Sequence, residues 1–326
     1  MNYKVLIFSV SNYPDFGGIA DHYNSHFNAI KKRKLKCKCV DFFIKSDSKN
    51  LNLFTNRWFL FYDFFKLFIF ISKFKPDLIH VHDPRCSIAT IFPLFFKCKK
   101  IVSSHGFIFH NGEPLYKKIY FKYAKFIYSF YDKVIAVGDK DYSRIQNMNN
   151  SILFKNPIDE IKVCPKQIKK KNSFVIISRN VPHKRIGLAV DYFRKIDLKN
   201  KQLIILTNEQ INLTDSNISV EINTTSKRLT EILGFSEFLI HPSKFEGYGL
   251  VVYEAMLNGV IPILSNLDVY RSIKSHVIIS DFNNPKKDLN FNTKLKSKNI
   301  KKFTVGLTWS EKINTLLEEI YGFNIK

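Results

Sequence analysis

The sequence predicts an α/β protein built as two halves, each organised on a parallel β-sheet. Three observations carry that prediction. Short β-branched and apolar runs alternate with spans of helical period along the whole chain. A polar, Lys-rich stretch, Pro157 to Asn172, carries Pro165, shows no clear period and reads as a linker. The 326 residues suffice for two domains at roughly 100–200 residues each. The expected division is 1–160, 170–305 and a terminal helix at 306–326.

In the first half the expected strands are Lys4–Val10, Lys36–Ile44, Asp77–His82, Lys100–Ser104, Lys133–Val137 and Ile152–Lys155. Helices fill the gaps at 18–33, 55–74, 86–98, 115–131 and 140–148. In the second half strands are expected at Phe174–Ser178, Gln202–Thr207, Ile218–Ile222, Phe238–His241, Val260–Leu264 and Val277–Ile279. Thr308-x-x-Glu311 is a capping box. Trp309, Ile313, Leu316, Leu317 and Ile320 follow it at helical spacing and form the terminal helix.

Composition narrows the class. The apolar fraction of 45% is that of a globular protein. The most apolar region, Trp58 to Ile71, contains Asp63 and Lys66 and is shorter than the ~20 residues of a spanning helix. Lys4 to Val10 stops at Asn12-Tyr13-Pro14 and reads as a first strand, not a signal segment. Cys37, Cys39, Cys86, Cys98 and Cys164 show no zinc-like spacing and read as reduced thiols of a cytoplasmic protein. The excess of 51 Lys+Arg over 28 Asp+Glu, a net charge of +23, is spread over both halves. It admits nucleic acid, an anionic membrane surface or phosphorylated substrates as partners. Abundant Lys, Asn, Ile and Phe also fit a general composition bias. No compact aromatic–basic nucleic-acid motif is visible, so nucleic acid is not expected.

The chemistry concentrates at Phe245-Glu246-Gly247-Tyr248-Gly249-Leu250-Val251-Val252-Tyr253-Glu254-Ala255-Met256. A strand precedes it, and a helix-period run begins at Leu250. The Gly-x-Gly turn leaves backbone N–H groups unpaired at a helix N-terminus, where an anion such as a diphosphate is favoured. Glu246 falls in the loop beside that anion site. Glu254 falls in the first helical turn or just past it, where a carboxylate suits the two hydroxyls of a ribose. Together these features describe a nucleotide-sugar pocket, with Gly247, Tyr248, Gly249, Leu250 and Glu254 as donor-binding residues.

The string from His241 to Pro262, including Ala255-Met256 and Gly259, resembles retaining glycosyltransferases of family 4. The resemblance implies a GT-B fold: two Rossmann-like domains facing a cleft, ligands at the carboxyl ends of the strands, and a terminal helix crossing back to the N-terminal domain. Ser103-Ser104-His105-Gly106-Phe107-Ile108-Phe109-His110, continued by Leu115 to Phe121, resembles the His-Gly-x-Phe-His signature of α-mannosyltransferases of bacterial exopolysaccharide synthesis. By that resemblance His105 touches the donor hexose near its 6-position, and the donor is GDP-mannose. His110 reads as a second contact or a loop residue. His80 and His82, before Asp83-Pro84, take a structural or acceptor-side role.

Arg179 and Lys184 resemble the family's Gly-Arg-x-x-x-x-Lys element, with Ser178 in place of its Gly. Arg offers a planar fork and Lys a mobile point charge, and the pair would neutralise the leaving diphosphate in place of a metal. Gly17-Gly18 would face the donor phosphate. Asn156-Pro157-Ile158-Asp159 stands where the family has Asn-Gly-Val-Asp.

The resemblance implies retention by front-face attack, with the leaving phosphate taking the acceptor proton. His105, Glu246, Arg179 and Lys184 are then the expected catalytic residues. Asp139-Lys140-Asp141 has the form of a manganese motif, but Asp139 reads as an N-cap and Asp141 as a first-turn acid. No metal and no cofactor besides the donor substrate are expected. The acceptor is expected to be a glycan or lipid-linked glycan, reached from the cytoplasmic side of the membrane. Lys31-Lys32-Arg33-Lys34 and the aromatic–basic run Lys117 to Lys133 are the candidate anionic-membrane surface. The alternatives are a UDP-sugar donor, or a catalytically inactive basic binding protein on the same scaffold.

Overall fold

The computed structural model describes residues 3–9, 18–42, 51–53, 60–82, 88–105, 115–165, 168–284, 300, 302–304 and 306–324. They divide into two compact units, Met1–Pro157 with Trp309–Lys326, and Ile158–Thr308.

The first unit is a seven-stranded, all-parallel sheet. Its strands are β1 (Lys4–Ser9), β2 (Lys36–Phe42), β3 (Leu51–Leu53), β4 (Leu78–His82), β5 (Lys99–Ser104), β6 (Lys133–Ala136) and β7 (Ser151–Leu153). Its helices are α1 (Gly18–Lys32), α2 (Leu60–Phe74), α3 (Ile88–Ile91), α4 (Leu115–Tyr128) and α5 (Asp139–Ile145). The order β3-β2-β1-β4-β5-β6-β7 reverses direction between β1 and β4, as in a doubly wound sheet. β3 is an edge strand absent from the sequence reading. The helix expected at 86–98 is two short pieces, α3 and a 3₁₀ turn over Phe92–Phe95, because Pro93 interrupts α-helical bonding. The cap of α5 is Gly138, not Asp139. Asp139 is the first helical residue and pairs with Lys155 at 2.8 Å.

The second unit is a six-stranded parallel sheet, ordered β10-β9-β8-β11-β12-β13. Its strands are β8 (Ser173–Ile177), β9 (Gln202–Thr207), β10 (Ile218–Ile222), β11 (Phe238–His241), β12 (Ile261–Leu264) and β13 (Ile278–Ile279). α6 (Ile186–Lys195), α7 (Ser226–Phe235) and α8 (Leu250–Leu257) cover it. The segment expected to link the halves is packed: Ile158 bridges Thr308 and a 3₁₀ turn spans Glu160–Lys162.

After the second unit the chain returns to the first as α9 (Trp309–Thr315), continued by a π-helical turn at Leu316–Ile320. The topology explains the need for it. Right-handed crossovers place α2, α3, α4 and α5 on one face of the first sheet, where they enclose Leu6, Phe8, Val81 and Val102. α1 lies on the other face, and no later crossover covers it beyond β1. Trp309, Ile313, Leu316, Leu317 and Ile320 fill that space against Val5, Ile7, Leu78, Ile101 and Ile135. A parallel sheet needs both faces covered, so the terminal helix completes this core.

Between α1, the sheet and this terminal segment lie five buried histidines: His22 and His26 on α1, His80 and His82 on β4, and His105 after β5. The i, i+4 pair on the helix and the i, i+2 pair on the strand each share a face. His26 stacks on Trp309 with ring centroids 5.2 Å apart. Burial, reinforced by neighbouring histidines, holds His22, His26, His80 and His82 well below the usual imidazole range. Burial alone lowers His105 to about 3.

These shifts have a sign that can be measured. The folded imidazoles titrate below their unfolded value of 6.5, so under that pH the unfolded chain takes up more protons. Stability should be level above about 6.5 and fall as pH drops, each imidazole forfeiting up to about 1.4 kcal/mol per pH unit. Urea denaturation between pH 7.5 and 5 checks this. An unchanged midpoint across that range contradicts the neutral buried cluster.

Candidate functional site

In the second unit the site grows from the end of β11. The chain leaves His241, makes a loop through Pro242 to Gly249, and enters α8 at Leu250. Gly249 caps α8 in the left-handed conformation, φ 79°. A Cβ there would lie 2.7 Å from the Tyr270 hydroxyl. Both the dihedral and the space therefore require glycine, and the turn aims the first N–H groups of α8 outward.

Glu246 is partly buried in this loop, its side chain 10% exposed. Its Oε1 accepts from Lys184 Nζ and, at 2.8 Å, from His241 Nε2. A carboxylate only accepts, so that His241 nitrogen carries the proton. Burial pushes the Glu246 carboxyl up, but His241 and Lys184 outweigh it and hold the group well below the usual carboxylate range. The result is a partly buried carboxylate that stays charged because two donors converge on one of its oxygens.

Neighbouring residues fix the geometry. Arg185, itself at φ 54°, donates from Nε to Pro242 O at 2.6 Å and from its terminal nitrogen to Ser265 Oγ at 2.9 Å. His183 stacks on Phe245 at 4.4 Å, and Lys244 N–H donates to His183 O at 2.8 Å. The loop after β8 and the loop after β11 are thereby held together, which brings Lys184 to Glu246. Arg179 is exposed and has no side-chain hydrogen bond or ion pair among the described residues.

Glu254 lies on the second turn of α8, buried, and accepts from Lys162 Nζ at 2.7 Å. Asn258, one turn on, accepts from Cys164 N–H and donates to Lys162 O, both at 2.8 Å. The 3₁₀ segment carrying Lys162 is thus tied to α8. Sequence reading missed Lys162, His241 and Arg185. Their partners lie 92, 5 and 57 positions away, and Lys and Arg in a basic chain give no local signal.

In the first unit His105 follows β5 and its Nε2 lies 2.8 Å from His82 Nδ1. Gly18 opens α1. Gly17, Gly106, His110, Asp83 and Pro84 lie outside the described residues. The structure gathers Lys184, Glu246, Gly247, Tyr248, Gly249 and Leu250 into one loop cluster, with Glu254 one turn along α8.

Comparison with known proteins bears on the family and the fold. Residues 25–154 match the model of Glycosyltransferase Family 4, and residues 158–286 that of Glycosyl transferases group 1. A GDP-mannose:cellobiosyl-diphosphopolyprenol alpha-mannosyltransferase of Komagataeibacter xylinus is 27% identical over 213 residues, 59% of this chain and 54% of that protein. The chain thus spans about half the length of this curated relative. Among solved structures, sucrose-phosphate synthase from Thermosynechococcus elongatus superposes with a TM-score of 0.78 at 13% identity, covering 98% of this chain and 100% of the other. A glycosyltransferase from Rickettsia africae gives 0.72 at 13% identity, covering 99% and 100%. At such identities these structures establish the shared fold alone. With a Family 4 domain followed by a group 1 domain on two parallel-sheet Rossmann-like units, the chain belongs to the GT-B glycosyltransferases and resembles bacterial mannosyltransferases.

Proposed function

We propose that this chain moves a hexose from a nucleotide sugar to a hydroxyl of a glycan or lipid-linked glycan, with retained anomeric configuration, and that the donor is GDP-mannose. The observation that carries the reading is the partly buried Glu246–Lys184 pair beside the left-handed Gly249 turn at the start of α8. A charged carboxylate, a cation and the N-terminus of α8 meet there, which suits a sugar diphosphate. The mannose donor rests on the segment around His105 and on the printed activity of the Komagataeibacter relative.

Roles follow from the chemistry of each group. The N–H groups from Gly247 to Leu250 hold the diphosphate, and Gly17 and Gly18 let backbone approach its phosphate. Tyr248, stacked on Tyr253 at 4.7 Å, stiffens that turn. Glu254 accepts from the ribose hydroxyls, with Lys162 compensating its charge. Glu246 accepts from a sugar hydroxyl, and His105 contacts the hexose. Arg179, exposed and uncommitted among the described residues, and Lys184 carry the charge that grows on the departing diphosphate. That stabilisation and the positioning of donor and acceptor supply the rate, with no divalent ion required.

The acceptor side fits a membrane surface. α4 buries Ala124, Ile127 and Tyr128 but exposes Ile119, Tyr123 and Phe126, and Phe130 continues the row. Their spacing of three to four residues puts them on one helix face, with Lys122 exposed among them. Phe65 and Phe68 of α2, and Phe95, are exposed on the same layer. Exposed aromatics with interspersed lysines suit an anionic lipid interface. No helix among the described residues is long and apolar enough to cross a membrane.

Two outcomes are expected. Arg179→Ala and Lys184→Ala should each lower kcat by about 10²–10³-fold with smaller changes in donor KM, since leaving-group charge grows toward the transition state. Steady-state kinetics with GDP-mannose and a polyprenyl-diphosphate glycan, with and without EDTA, measures this. A strict manganese requirement contradicts the clamp. In liposome flotation, binding should rise with anionic lipid and fall with salt. It should weaken when Tyr123 and Phe126 become Ser, or when Lys117, Lys118, Lys122 and Lys125 become Glu. A protein that stays with the soluble fraction at low salt and high anionic lipid indicates a soluble acceptor instead.

A further inference from the structure

We propose that Ser103, His80, Tyr321, His26 and His82 are positioning residues that fix the tautomer of His105, delivering it with its proton on Nδ1 as a hydrogen-bond donor. The assignment comes from a single-file chain of contacts. Ser103 Oγ lies 2.8 Å from His80 Nε2, and His80 Nδ1 lies 2.6 Å from Tyr321 Oη. Tyr321 Oη lies 2.9 Å from His26 Nε2, and His26 Nδ1 lies 2.8 Å from His82 Nε2. His82 Nδ1 then lies 2.8 Å from His105 Nε2. Every ring uses both nitrogens except His105, whose Nδ1 has no partner among the described residues.

A neutral imidazole has one donor and one acceptor, so each hydrogen bond in the file sets the sense of the next. Only two proton arrangements satisfy the whole file, one the reverse of the other. Ser103 decides between them. It is 2% exposed and His80 is its side-chain partner among the described residues. If His80 donated to Ser103, the serine O–H would be buried without an acceptor, at the full desolvation cost of that group. With the serine donating, every proton in the file but the last finds an acceptor within it, and the last sits on His105, the less buried end at 8% exposed against 2% for Ser103. Ser103 gives to His80 Nε2, His80 Nδ1–H to Tyr321, Tyr321 O–H to His26 Nε2, His26 Nδ1–H to His82 Nε2, and His82 Nδ1–H to His105 Nε2. His105 is left with Nδ1–H at the open end. Burial keeps all four imidazoles of the file neutral, so the file holds no extra proton to blur that sense.

The same side chains form two groups whose nitrogens lie within 4.8 Å, His22 with His82 and His105, and His26 with His80 and His82. Distances separate protons from a metal. Nitrogens around a tetrahedral ion, each ~2.0–2.1 Å from it, stand about 3.3 Å apart. The 2.8 Å pairs His26–His82 and His82–His105 are closer than that and match a shared proton.

The tautomer assignment stands on the contacts alone. Its consequence, a donor aimed at a hexose oxygen, rests on the proposed role of His105. NMR of the full chain labelled with ¹⁵N-histidine reads which nitrogen carries each proton, without donor or activity. His105 should show a single Nδ1–H form. Ser103→Ala and Tyr321→Phe should turn it into a mixture of tautomers, and Ser103→Thr, which keeps the hydroxyl, should restore the single form. Donor KM should rise about fivefold in Ser103→Ala, the worth of one oriented hydrogen bond, and return in Ser103→Thr. An Nε2–H form of His105 in the parent chain overturns the proposal. So does a tautomer unmoved by Ser103→Ala and Tyr321→Phe, or one equivalent of divalent metal in the purified protein. An unchanged KM with the expected tautomers leaves the file intact and removes only the hexose contact.

Discussion

Both sheets are entirely parallel, and that constraint governs the rest of the structure. Parallel strands must be covered on both faces, and their connections run as crossovers of fixed hand. In the first unit the crossovers after β4 all fall on one face, which leaves a gap on the other. The terminal segment from Trp309 to Phe323 fills it, with seven buried apolar residues facing the sheet. The constraint also orients the chemistry. Strands that point one way end at one rim, so His105, the loop of Arg179 and Lys184, and the loop of Glu246 all follow the carboxyl end of a strand in their own unit.

The two units handle buried polar groups in opposite ways. The second keeps a buried charge and compensates it. Glu246 is met by Lys184 and His241, and Glu254 by Lys162. Removing one partner of such a pair strands the other in a poorly hydrated place, so these contacts fix the shape of the turn as well as its charge. The first unit keeps its buried histidines neutral. Four imidazoles and a phenol, those of His80, His26, His82, His105 and Tyr321, satisfy one another by direction of donation, with no formal charge along the file. A charged clamp suits a diphosphate, and an oriented neutral donor suits a sugar hydroxyl. The division of labour follows the chemistry proposed for each half.

Much of the fold was legible because parallel strands are continuous apolar runs. Eleven of the twelve expected strands fall within two residues of the observed bounds at both ends, Gln202–Thr207, Ile218–Ile222 and Phe238–His241 without any shift. Lys36–Ile44 is recovered to Phe42, and the residues beyond lie outside the described ones. β3 was missed because Leu51–Leu53 is three residues long with no run around it. The Gly249 turn was legible because glycine spacing before an apolar helix has one economical conformation. The partners of the site were not. Lys184 stood out through its place in the Gly-Arg-x-x-x-x-Lys element, but its pairing with Glu246, like that of Lys162 with Glu254, exists only once the chain has folded, and nothing local distinguishes Lys162 from the other lysines. The histidine file had a signal that went unused. His22-x-x-x-His26 and His80-x-His82 each place two rings on one face of their element, a pattern readable from the periods of helix and strand.

The central claim is that the turn before α8 and Glu254 behind it form a nucleotide-sugar site. Calorimetric titration of the full chain with GDP, UDP and ADP, without acceptor, tests it most directly. The account predicts saturable binding with preference for GDP, and loss of most of that affinity in Glu254→Ala, because hydrogen bonds to a charged group are worth about 1.5–3 kcal/mol each. Absence of binding by all three nucleotides would contradict the claim. Equal affinity in Glu254→Ala would contradict the assignment of that carboxylate to the ribose.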